Sequence, residues 1–276
     1  MTKPRFSPDD AEKTFDYYSH PPIVQDYEEQ AYITPCERLL VSTYIKPGMA
    51  ILDIGVGGGR TSELLAAGAS RYVGIDYVPE MIRICQKKYP QLDFLVGSAT
   101  DLSPFQDGSF DVAVLSFNTL DDIVPDENRW RCLRECHRVL RDDGLLIFSS
   151  HNPRAIFARP DWKTAANGGA AQDAAPNVRG ISIWSRLTGC MRALRRAARS
   201  SIKRTRLYAF KAPFWRGEGH TLDTVGLKTH FWVPRAVIHE LKQLGFTFVA
   251  MQGDDYPLKS HWLLTEWYYY VFSKDS

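Results

Sequence analysis

One stretch limits what this chain can become: Met49-Ala50-Ile51-Leu52-Asp53-Ile54-Gly55-Val56-Gly57-Gly58-Gly59-Arg60. Ile51, Leu52 and Ile54 read as a strand buried inside a parallel sheet. Gly55, Gly57 and Gly59 let the chain turn sharply and bring its backbone close to a ligand. A helix beginning near Thr61, over about residues 60–67, directs its first N–H groups toward that ligand. Asp53 sits among apolar neighbours and needs partners, since an unpaired buried charge is costly. A dinucleotide fingerprint, G-x-G-x-x-G, would need a glycine where Arg60 stands. A P-loop is excluded because no Gly-Lys-Ser/Thr follows. A glycine-rich turn without a ligand is the alternative.

The rest of the chain supports an alternating α/β reading. Expected strands are 50–54, 72–75, 93–96, 112–116 and 145–150, with helices over 80–88 and 126–139 between them. Strands alternating with helices imply a parallel sheet covered on both faces. Ligands in such sheets bind beyond the carboxyl ends of the strands. Residues 1–47 read as a helical arm. One helix starts at Asp9 and is stopped by Pro21-Pro22, and a second covers 34–44. Near the end, Pro234 opens a helix that Gly245 caps, followed by strands 246–251 and 268–272. Of 276 residues, 44% are hydrophobic and 24% charged, ordinary for a globular protein. No apolar run is long enough to span a membrane, and Met1–Lys13 lacks the apolar core of a secretory signal. Five scattered cysteines argue against a disulfide framework and fit a reducing cytoplasm. Cys132 and Cys136 read as packing neighbours on one helix, and no metal site is expected.

Charge is unevenly placed. Residues 151–220 hold 14 Lys/Arg against 3 Asp/Glu, so this segment carries +11 and the remainder −9 of the net +2. Residues 183–208 interleave these cations with Leu187, Met191, Leu194, Ala198 and Ile202, the pattern of an amphipathic helix. The segment reads as a solvated face, as a surface for an acidic acceptor or anionic membrane, or as an RNA backbone contact. No recognisable RNA module accompanies it.

Asp76 ends the second strand 23 positions after Asp53. That spacing suits a carboxylate that accepts hydrogen bonds from ribose hydroxyls; a helix cap is the alternative. The D-x-G-x-G-x-G run, Asp76 and the segment Glu135-Cys136-His137-Arg138-Val139-Leu140-Arg141-Asp142-Asp143-Gly144 together resemble the class I S-adenosylmethionine-dependent methyltransferases, in their small-molecule branch. Asp143 departs from that family's closing glycine pair. The likeness covers residues 48–152 well and 229–273 loosely.

The resemblance implies a Rossmann-like fold: a mostly parallel seven-stranded sheet, helices on both faces, a last strand inserted antiparallel, and a helical lid. It divides the chain into an arm (1–47), a cofactor domain (48–152 with 221–276) and a basic insertion (153–220). It implies S-adenosyl-L-methionine as cofactor, contacted by Asp53, Gly55, Gly57, Gly59, Asp76, Tyr77, Met81, Ser98, Ala99, Ser116 and Asn118. The arm lies over the pocket in that family, so Tyr17, Tyr18 and Tyr27 are either lining or packing residues. The expected reaction is methyl transfer to a small or glycan-like acceptor at oxygen. His151 is then the candidate base and Asp121 its orienting partner, with Asp122 an alternative for orientation or for binding substrate hydroxyls. Equally, His151 and Asn152 hydrogen-bond a neighbouring loop, and the aspartates cap the next helix. His220, His230 and Trp232 are further acceptor-side candidates. An RNA methyltransferase and a non-catalytic cofactor-binding module are the competing readings.

Overall fold

The computed structural model describes residues 8–155, 218–222 and 227–276. The insertion 153–220, its proposed helix over 183–208 and the His220 side chain therefore lie outside the described residues, apart from the few positions named below.

Three helices form the arm: α1 (Pro8–Tyr18), α2 (Pro21–Glu29) and α3 (Pro35–Tyr44). Pro21-Pro22 does more than stop α1. These prolines occupy the opening turn of α2, where a missing N–H costs nothing because the helix leaves those donors unpaired. This helix is absent from the sequence reading. The α3 start is a capping box: Thr34 Oγ1 accepts from the Glu37 N–H at 3.0 Å, and Glu37 Oε2 accepts from the Thr34 N–H at 2.9 Å.

The strands β1 (Ala50–Ile54), β2 (Arg71–Asp76), β3 (Asp93–Val96), β4 (Phe110–Leu115) and β5 (Leu140–His151) are mutually parallel. Between them run α4 (Ser62–Ala66), α5 (Pro79–Lys88) and α6 (Asp126–Val139). β6 (Glu218–Leu222) starts within the last residues of the insertion and is followed by β7 (Lys228–Trp232), α7 (Pro234–Gln243), β8 (Phe246–Gly253) and β9 (Trp267–Lys274). The main sheet has seven strands in the order β3-β2-β1-β4-β5-β9-β8, and β9 is antiparallel to both neighbours. The expected seven-stranded sheet with an antiparallel last strand is thus present, while the expected lid lies outside the described residues. β6 and β7 form a separate antiparallel pair, and β7 packs against β5 and the 3-10 turn Thr119–Asp122.

Arg141–Gly144, just ahead of the strand expected over 145–150, lies inside β5 as a bulge. The pairing jumps from Phe110 with Leu140 to Val112 with Leu145, so those four residues face only Asp111. Arg141 closes the bulge by pairing with Asp111 at 2.6 Å.

Period-two alternation divides the core between the two sheet faces. Leu52, Ile54, Val73, Phe148, Tyr270 and Phe272 face α6 and α7. Ile51, Tyr72, Val112, Ile147, Tyr269 and Val271 face α3, α4 and α5. Each such large side chain contributes about 1.5–3 kcal/mol by burial. Cys36, Cys85, Cys132 and Cys136 are buried free thiols in these layers. From β1 the chain moves outward toward β3, and from β4 it moves the other way. A crevice therefore opens beyond the ends of β1 and β4.

Candidate active site

That crevice is a cavity of about 460 Å³. Its floor is the turn after β1. Gly55 and Gly57 have φ of +71° and +54°, which disfavour any side chain. A Cβ on Gly55 would come within 2.4 Å of Thr119 Cγ2, across the mouth of β4. Asp76 closes the turn from β2. Its Oδ2 accepts from the Gly57 N–H and its Oδ1 from the Val78 N–H, both at 2.9 Å. Burial raises the Asp76 pKa, while these backbone donors favour its charged form.

Of the expected cofactor residues, Gly55, Gly57, Asp76, Tyr77, Met81, Ser98, Ala99 and Ser116 line the cavity. Asp53, Gly59 and Asn118 do not. Asp53 lies behind the turn and accepts from Tyr72 Oη at 2.8 Å. Burial pushes its pKa up to about 6. Gly59 packs against Tyr89 and Cys85. Asn118, in a left-handed conformation with φ +60°, turns its Nδ2 to His151 Nε2 at 3.2 Å. Its Oδ1 is buried without a hydrogen-bond partner.

The arm roofs the cavity with Phe15, Tyr18, Tyr27 and Tyr32. Tyr27 lies against Gly57, and its carbonyl oxygen would be 2.1 Å from a Cβ on Gly58. Phe15 meets Tyr77 edge-on, with centroids 5.5 Å apart. Tyr18 and Tyr27 are thus lining residues, whereas Tyr17 packs against Tyr18.

Arg60 is a cavity residue that the sequence reading used only to exclude a dinucleotide motif. It forms a two-pronged ion pair with Glu37, at 2.8 and 2.5 Å, and donates to the Tyr32 carbonyl at 2.9 Å. Its guanidinium stacks 4.1 Å from the Phe117 centroid and 4.9 Å from that of Tyr32. Tyr269 Oη also donates to Glu37. Burial alone would raise the Glu37 pKa, but Arg60, the Thr34 N–H and Tyr269 outweigh it and hold it below the ordinary value.

At the β5 end, Asp121 is fully buried. It accepts from Ser150 Oγ (2.7 Å) and the His151 N–H (2.7 Å), and lies 2.8 Å from His151 Nδ1. Burial lowers the His151 pKa, but the bond and charge of Asp121 prevail and raise it. Neither residue lines the cavity, although His151 keeps 43% of its side chain exposed. Asp122, one residue along, does line it. Asn152 binds the carbonyls of Trp262 and Thr265 in the loop before β9. His230 and Trp232 are buried against each other, 4.8 Å between centroids, and lie outside the cavity lining.

Residues 52–148 match the model of a methyltransferase domain. A demethylmenaquinone methyltransferase of Paenarthrobacter aurescens is 28% identical over 142 residues, 51% of this chain and 53% of that relative. A ubiquinone biosynthesis O-methyltransferase of Xanthomonas campestris is 36% identical over 110 residues, 38% of this chain and 44% of that relative. The chain thus spans about half the length of these curated relatives. The crystal structure of a Burkholderia thailandensis 1,6-didemethyltoxoflavin-N1-methyltransferase, solved with its acceptor and S-adenosylhomocysteine, aligns over 100% of this chain and 94% of its own. The TM-score is 0.61 at 14% identity, a likeness of fold. Residues 52–148 thus carry the likeness to a methyltransferase domain, and the fold around them is similar to that of the solved methyltransferase.

Proposed function

We propose that this chain transfers a methyl group from S-adenosyl-L-methionine to a small-molecule acceptor, at oxygen. The observation that carries the reading is the carboxylate of Asp76, buried yet lining the cavity and locked to the glycine turn by two backbone N–H groups. A side chain at Gly55 would collide with Thr119 and one at Gly57 with Tyr27, so the shape of this turn depends on glycine. The donor and acceptor set suits the cofactor. Asp76 would accept from the ribose hydroxyls, Tyr77 and Met81 would flank the adenine, and Ser98 and Ala99 would meet its edge. Ser116 and the glycine turn would border the methionine portion. When bound, the cofactor supplies an electrophilic methyl group; the protein positions an acceptor oxygen in line with it and excludes water. The arm tyrosines and Phe117 give the acceptor end an aromatic lining.

The relatives named for demethylmenaquinone and ubiquinone biosynthesis support a small organic acceptor. An acidic or glycan acceptor, a membrane contact and an RNA partner all depend on the basic insertion, which lies outside the described residues. Among the described residues no helix is long and apolar enough to cross a membrane, and no cluster of potential metal ligands occurs.

Isothermal titration with S-adenosyl-L-methionine tests the reading. The wild-type chain should bind, and Asp76→Ala should weaken binding by about 10- to 100-fold, the loss of one or two hydrogen bonds to a charged group. No binding by the wild-type chain would end the reading. Transfer of a labelled methyl group to fractionated small-molecule extracts would identify the acceptor.

A further inference from the structure

Methyl transfer to a hydroxyl needs a group that takes the acceptor's proton. Two adjacent aspartates close the turn at 119–122, and the fold sends them to different sides. Asp121 is committed to Ser150 and His151, and both ring nitrogens of His151 are engaged, Nδ1 with Asp121 and Nε2 with Asn118. Asp122 instead borders the cavity, together with Tyr18. Its Oδ2 accepts from Tyr18 Oη at 2.8 Å and its Oδ1 from Thr229 Oγ1 at 3.0 Å. Each carboxylate oxygen retains a second lone pair beyond those bonds. The two hydroxyls come from different elements, α1 and β7, and each holds one carboxylate oxygen.

We propose that Asp122 is the catalytic base, taking the proton of an acceptor hydroxyl seated at the β4 mouth, and that His151 with Asp121 is a positioning pair that tunes its charge. This rests on the methyl-transfer reading above. The acceptor oxygen gives its proton to Asp122 and its electron pair to the methyl carbon, whose former bond leaves its pair on sulfur. Asp122 then releases the proton to water. The titratable groups around it are Tyr18 of α1, Tyr27 of α2, Tyr77 after β2, Asp121 in the same turn and His151 of β5. Burial pushes the Asp122 pKa up to about 6; Tyr18, His151 and Thr229 pull it down, and Asp121 pushes it up. A base poised close to neutrality is both ionised and able to hold a proton.

The test compares wild type with Asp122→Asn, His151→Gln and Thr229→Val. Infrared titration of the protein alone should show, in the difference between wild type and Asp122→Asn, a protonated-carboxyl component with a midpoint near pH 6; Asp53, which titrates in the same range, is common to both and cancels. With labelled S-adenosyl-L-methionine and small-molecule extract fractions, Asp122→Asn should lower product formation by about 100-fold or more. Its cofactor affinity should stay within about threefold of wild type, well inside that loss. His151→Gln and Thr229→Val each remove a group that favours ionised Asp122. Both should move the acidic limb of the rate profile to higher pH while retaining turnover. Should Asp122→Asn fail to fold, the Thr229→Val shift decides. A difference spectrum with no Asp122-dependent carboxyl component near pH 6, an Asp122→Asn rate within about threefold of wild type, or an unmoved limb overturns the inference. A wild-type chain that binds cofactor but labels nothing overturns it as well. A wild-type chain that binds no cofactor overturns the underlying reading instead.

Discussion

Asp53 illustrates how much a single buried carboxyl depends on its surroundings. It is 1% exposed, and its pKa rises from an ordinary 3.8 to about 6 by burial, against the opposing Tyr72 hydrogen bond. The folded state therefore favours the protonated form. Its contribution to stability is whole below pH 3.8 and is lost as pH rises through about 6. A shift of this size corresponds to about 3 kcal/mol. Asn at this position carries no charge at any pH. The melting temperature of Asp53→Asn, relative to wild type, should rise by about 5 °C between pH 4 and pH 7.5. Paired thermal melts across that range check it, and a difference that stays flat would place the Asp53 pKa at its ordinary value. Asp53 itself is legible in the sequence as a carboxylate needing partners. That its partner is Tyr72, 19 residues on in β2, is not, because only the parallel pairing of β1 with β2 sets the two side by side.

Among the elements, α3 shows a local signal with a distant use. Its capping box is readable as Thr34-Pro35-Cys36-Glu37. The same Glu37 also takes the Arg60 fork from the glycine turn and the Tyr269 hydroxyl from β9. One carboxylate thus joins the arm, the glycine turn and the inserted last strand. Arg60 has 8% and Glu37 4% side-chain exposure, so this pair is poorly screened by solvent. Glu37→Gln would leave a buried guanidinium without its counter-charge, a loss of about 3–5 kcal/mol. Denaturant melts should show that loss, and Thr34→Ala, which removes only the cap, should cost about 1 kcal/mol. Equal losses from the two variants would reduce Glu37 to its capping role. The α2 helix escaped the sequence reading because a Pro-Pro pair ends one helix and opens another with equal ease.

For the molecule as a whole, the cavity exists only once the arm lies across the sheet. Lys88 Nζ donates to the Glu28 carbonyl and, at 3.0 Å, to that of Gly58. Lys228 pairs with Asp10 at 2.5 Å. These contacts tie α1 and α2 to α5, the glycine turn and β7. Gly58 is the closest approach, and its φ carries no left-handed requirement, so a substitution there acts through crowding alone. Gly58→Ala would meet backbone at 2.1 Å and must displace α2. The expected result is faster proteolysis within residues 8–30 and weaker cofactor binding, with the sheet's circular dichroism intact. Limited proteolysis and titration calorimetry read both, and an arm as resistant as wild type would mean the turn can yield instead.

By itself the sequence determined the repeating strand–helix order, the glycine turn and the carboxylate at the end of β2. Each is a local pattern: apolar runs, small residues where the backbone bends, and fixed spacing. Only the tertiary structure decided which of Asp121 and Asp122 faces the cavity, that Asn118 turns to His151, and that Arg60 is neutralised by Glu37. Adjacent residues in a tight turn point in different directions, and which direction meets the cavity depends on how β5, β7 and the arm converge on it.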